Sequence, residues 1–125
     1  MNLGRVSSAA LMLSGLAGVL TPTKVASALD LSAASGRAVA ETRAGLGGTY
    51  AALGGWALLS RHPAAHAAVG VTWTGAAAAR IASLLIDHPR TDWAFWAYLA
   101  AELGFGSVAI ASAIRRVDGI PTSVS

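Results

Sequence analysis

Of 125 residues, 54% are hydrophobic and only 12% charged, with a mean hydropathy of +0.57; soluble domains carry about 25% charged residues, so an ordinary water-covered globule is excluded. The net charge of +3 comes from nine scattered Lys/Arg with no basic cluster, which excludes a nucleic-acid-binding surface and leaves the positive charge as topology signal. The absence of cysteine excludes disulfides, thiolate metal sites, iron–sulfur ligation and cysteine nucleophiles.

The apolar residues fall into four long blocks, the pattern a bilayer requires. The first is expected to form a helix over residues 3–21, with Arg5 near its start and Pro22 after its end. Residues 1–28 can also be read as a cleavable signal peptide ending at Ala26-Ser27-Ala28. Lys24 and the length of the supposed cleavage region favour the uncleaved helix. Residues 22–36 mix Ser, Asp30 and Gly36 and are expected to be a loop or an interfacial segment.

The second block predicts a helix over residues 37–60. Gly45, Gly48, Ala52 and Gly55 follow helical spacing and form a smooth face, which in lipid permits close backbone packing. Glu41 lies on that face, and Arg43 and Tyr50 are seven apart on another. Arg61-His62-Pro63 reads as a tight turn, with proline at the first position of the next helix.

The third helix is expected over residues 64–86, and its 23 residues span about 35 Å, enough to cross a bilayer with some tilt. His66, Trp73, Arg80 and Asp87 recur every seven residues along one stripe of it. Asp87-His88-Pro89 ends it, Thr91 suits the cap of the next helix, and the fourth helix is expected over residues 92–114. Trp93 and Trp96 mark an interface at its start, Arg115-Arg116 is read as its stop, and residues 117–125 as a flexible tail.

Four helices with short turns between the last three imply one all-α membrane domain spanning residues 1–125: an antiparallel four-helix integral membrane bundle. Counts of Lys/Arg at the helix ends tie. The two acids of the 3–4 turn and the Arg115-Arg116 pair favour N-in, C-in.

With that topology the polar residues converge. Glu102 lies about ten residues into the fourth helix and Arg80 six from the end of the third, a depth difference of about 6 Å that an arginine side chain covers. An unpaired arginine at helix centre costs about 2.5–3.5 kcal/mol on insertion scales, so an Arg80–Glu102 pair is predicted. In the alternative, Arg80 snorkels outward to the headgroups. The functional reading is a polar cavity open to the outer face and lined by Glu41, Arg43, Tyr50, Trp73, Arg80, Tyr98 and Glu102, with Asp87 at its rim. The bland reading is an ion pair that only fixes helix register. His62 and His66 have metal-compatible spacing, but Pro63 puts His62 at a cap and no carboxylate completes a set, so neither metal nor cofactor is expected.

The pattern Glu41-x-Arg43-x-x-x-Gly47-Gly48, followed by Arg80, Asp87 and Glu102, resembles a bacterial membrane family catalogued as a domain of unknown function and similar in architecture to DoxX-like proteins. That family has Gly before the arginine and after the aspartate, where this chain has Ala79 and His88. The resemblance implies a four-helix protein of the bacterial inner membrane with no established activity, and marks Glu41, Arg43, Arg80 and Glu102 for testing. The leading functional expectation is a non-enzymatic structural or accessory subunit packing against itself or a larger membrane complex. The alternative is a binding or transport module for a small amphiphile such as a quinone, lipid or weak acid. A membrane redox enzyme is a third reading, by analogy alone.

Overall fold

The computed structural model describes residues 2–118, with side chains through residue 115. Among the described residues the chain is all-helical, with no strand. Helix α1 spans Leu3–Leu20 and is capped by Asn2, whose Oδ1 accepts from the Gly4 amide at 2.9 Å. Pro22 then opens a short helix, α2 (Pro22–Ala28), within the segment expected to be a loop or interfacial stretch. Proline suits a first helical turn because its missing N–H has no partner there. Asp30 leaves α2 with φ 57°, and Ser35 caps α3 (Gly36–Thr42) through its Oγ.

The second expected helix is not one regular α-helix. After α3 the backbone widens into a π segment, Arg43–Gly48, before α4 (Thr49–Leu59). Both junctions keep right-handed helical dihedrals, so residues 36–59 remain one continuous rod. The Thr49 amide reaches the Ala44 carbonyl five residues back, the pairing that defines a π turn, and its Oγ1 donates to the same carbonyl.

Helix α5 (Pro63–Ile86) is capped by His62, whose Nδ1 accepts from the Ala64 amide. Asp87 is its C-cap, and His88 beyond it takes φ 47°. This is left-handed backbone that favours glycine. Helix α6 spans Trp93–Asp118. Its cap is Asp92 rather than Thr91: Asp92 Oδ1 accepts from the Phe95 amide at 3.0 Å, while Thr91 Oγ1 accepts from the Trp96 indole. Arg115-Arg116 does not stop the helix, which runs to Asp118. Of the expected tail, residues 119–125 lie outside the described residues.

Among the described residues, three helices are long and apolar enough to cross a membrane: Leu3–Leu20, Pro63–Ile86 and Trp93–Arg115. Their outward faces carry large apolar side chains, among them Leu20, Val71, Leu85, Ile86, Leu103 and Ile114, a surface suited to lipid.

The helices associate chiefly as two close pairs, α1 with the π segment and α4, and α5 with α6. In the first pair, a Cβ added at Gly15 would fall on the Ala51 backbone nitrogen, and one at Gly54 on that of Met12. No residue larger than glycine fits there without moving a backbone. The packed face is therefore Gly47, Ala51 and Gly54, not the expected Gly45, Gly48, Ala52 and Gly55. Gly45 meets nothing within 4 Å. The sequence offers two adjacent small faces, and the one that meets Gly15 and Gly18 is used. Between the pairs lie Leu11, Ala57, Ala65, Val69 and Ala109, all buried. Ser7 Oγ donates to the Phe105 carbonyl at 2.8 Å and ties α1 to α6.

Candidate functional site

Arg80 sits late in α5 and Glu102 near the middle of α6, and packing of these two helices brings them together. The Arg80 Nε donates to both Glu102 carboxylate oxygens, each at 2.9 Å. The Glu102 side chain is only 6% exposed and that of Arg80 25%. Phe95 and Tyr98 flank the guanidinium, with ring centroids 5.6 and 5.5 Å from Cζ, within cation–π range. Arg80 therefore turns inward to its partner instead of snorkelling to headgroups. An ion pair on facing helices removes much of the cost of holding either charge inside an apolar bundle.

Beneath this pair lies a chamber of about 260 Å³. Its walls come from Leu11, Ser14 and Ala17 of α1, Val25 of α2 and Leu29 just after it, Leu46 of the π segment and Tyr50 of α4. Thr72, Trp73, Ala76 and Arg80 of α5 and Tyr98 and Glu102 of α6 complete it. Trp73 stacks obliquely on Phe105, 5.4 Å between ring centres, and its indole N–H reaches the Ser7 carbonyl at 3.4 Å. A second, more polar cleft of about 500 Å³ lies between the end of α2 and the α5–α6 turn, where Asp30, Ser83, Arg90 and Asp92 contribute. Leu29, Arg80 and Tyr98 border both spaces, so the ion pair stands where a polar cleft meets a mostly apolar chamber.

Of the eight residues singled out from sequence, the structure gathers Tyr50, Trp73, Arg80, Tyr98 and Glu102 around the chamber. The other three lie elsewhere. Glu41 pairs with Arg37 one turn away on an exposed face, at 3.1 Å. Arg43 donates to the Val19 carbonyl near the end of α1. Asp87 accepts from the Ser83 hydroxyl at the end of α5. Arg43 and Tyr50 were placed on one face by their seven-residue spacing, but the π segment intervenes and its wider turn breaks that alignment.

Phe95 was missed, although Phe95, Tyr98 and Glu102 share the i, i+3, i+7 stripe of α6. Val25 of α2 and Leu29 at its C-cap, four apart, carry a similar signal; the other apolar wall residues carry none. The two histidines do separate work. His62 caps α5, and His66 is buried with its Nδ1 3.5 Å from Ser8 Oγ.

The family description "Domain of unknown function (DUF4345)" matches residues 3–112. No curated protein and no solved structure matches the chain. The match covers most of the 125 residues, and the chain belongs to the DUF4345 family.

Proposed function

For a member of a family without an assigned activity, we propose that the chain is a four-helix integral membrane protein of a bacterial inner membrane whose chamber binds a small amphiphile. The continuous rod over residues 36–59 supplies the fourth crossing, joining the three long apolar helices in one antiparallel bundle. The Lys/Arg and acid pattern supports N-in, C-in. In that orientation α2 and the polar cleft face outward. This is also the architecture that a DoxX-like resemblance implies.

The observation that carries the binding reading is the chamber itself. Ligand sites are concave, mostly apolar and marked by a few convergent polar groups, and this one holds a buried ion pair at one end of an apolar space. The ligand classes that fit are a quinone, a lipid or a weak acid. The test is to extract purified wild type and an Ala76→Phe variant, which fills the chamber, and to compare bound small molecules by mass spectrometry. A compound held by wild type and absent from the folded variant supports binding. Glu102→Gln should then change its affinity or its proton uptake. Identical extracts, with binding unchanged in Glu102→Gln, would sink the proposal.

The second reading, a structural or accessory subunit packing against itself or a larger membrane complex, rests on α6. Its Ala100, Gly104, Ser107 and Ala111 form an exposed small-residue face, the kind that lets membrane helices approach closely. Crosslinking in native membranes tests it: monomer alone, with no partner captured, argues against it.

A further inference from the structure

We infer, resting on the chamber reading above, that the ligand is an uncharged ring compound whose carbonyl oxygens accept hydrogen bonds from Arg80 and Tyr98. The donor inventory of the chamber leads there. Arg80 spends its Nε on Glu102, and its two Nη groups make no hydrogen bond to any described residue. While Nε is held by Glu102, the rings of Phe95 and Tyr98 flank the guanidinium.

The other wall donors divide clearly. Trp73 gives its N–H to the Ser7 carbonyl, and Thr72 its hydroxyl to the Ala68 carbonyl. The hydroxyls of Ser14, Tyr50 and Tyr98 make no hydrogen bond to any described residue. Both Glu102 oxygens already accept from Arg80. The chamber thus has donors to spare, and a ligand that accepts is the chemical complement.

Charge narrows the class further. Glu102 already balances Arg80, and no other ionisable cation lines the chamber. A carboxylate or phosphate would leave the site with a net negative charge among mostly apolar walls, which low-dielectric surroundings disfavour. An uncharged carbonyl takes the same Arg80 fork without that imbalance. Size sets the scale. A dry cavity of about 150 Å³ holds benzene, so 260 Å³ holds one ring with a few small substituents.

Three probes separate the alternatives: duroquinone, durene (the same methylated ring without oxygens) and 2,4,5-trimethylbenzoate. Each is titrated calorimetrically into the detergent-solubilised full chain, with the Ala76→Phe variant as the control for partition into micelles. The expected result is that duroquinone binds at least about tenfold more tightly than durene, and trimethylbenzoate more weakly than either. Tyr98→Phe, which keeps the ring, and Arg80→Lys, which keeps the charge but removes the Nη fork, each weaken duroquinone about tenfold and leave durene unchanged.

Equal binding of duroquinone and durene overturns the acceptor class while leaving the chamber as a ligand site. Tightest binding by trimethylbenzoate overturns it in favour of an anion. If none of the three binds above the Ala76→Phe control, the ring-compound inference is overturned, and the chamber reading then stands or falls on the extraction experiment alone.

Discussion

Replacing Arg80, Glu102 or both by alanine tests the most consequential contact in the molecule. Removing one partner of a buried pair leaves an uncompensated charge, at a cost of about 3–5 kcal/mol. Here the two losses differ. Glu102, at 6% exposure, has no outlet to solvent and no other cationic partner in the chamber once Arg80 is gone. Arg80 is a quarter exposed and borders the polar cleft, so without Glu102 it swings outward and keeps part of its contact with Phe95 and Tyr98. We therefore expect Arg80→Ala to cost about 3 kcal/mol and Glu102→Ala about 2 kcal/mol, toward the lower end of that range and below it. The double variant should lose about 3 kcal/mol rather than the sum, a coupling of about 2 kcal/mol. The assay is reversible unfolding in mixed micelles, followed by tryptophan fluorescence, with helicity checked by circular dichroism. Losses that add to within about 0.5 kcal/mol, or single variants that are both neutral, would refute the reasoning.

Gly15→Ala and Gly54→Ala should each cost about 2–3 kcal/mol, because the new methyl meets backbone that cannot yield; Gly75→Ala and Gly104→Ala, which meet nothing within 4 Å, should be neutral or stabilising by up to about 1 kcal/mol in the same unfolding assay. His88→Gly should raise stability by about 0.5–1 kcal/mol by relieving left-handed backbone, and His88→Ala should not. Ser7→Ala should cost under about 1 kcal/mol, the usual scale of one interhelical hydrogen bond in a bilayer; a larger loss would mean that α1 depends on this tie.

Much of the site could be read from sequence because its key contact depends only on helix rise. Counting residues from the ends of two helices placed Arg80 and Glu102 at compatible depths, and packing of α5 on α6 does the rest. The reading weakened wherever one regular helix was assumed. Arg43 and Glu41 were carried toward the cavity by 3.6-residue spacing across a segment that is π-helical, and no single residue in Arg43–Gly48 announces that wider turn. The small-residue face was placed one position round the rod because the sequence repeats glycines on both neighbouring faces. Choosing between them needs the partner helix, which local spacing does not contain. The part α2 plays over the chamber was also hidden, since a seven-residue helix that opens on a proline offers only the Val25–Leu29 spacing as signal.

The division of the bundle into two glycine-tight pairs has a consequence for how such a protein can change over time. The backbone contacts at Gly15, Gly18, Gly47 and Gly54, and at Gly70 and Gly106, lie within the pairs, whereas the chamber is walled by side chains from both pairs and from α2. Apart from the Arg80–Glu102 pair, tight backbone packing and the chamber lining therefore fall at different positions. Ala17, Leu46, Thr72 and Ala76 present side chains to the chamber and not to those glycine contacts, so the size and polarity of the lining can drift while the glycines stay fixed.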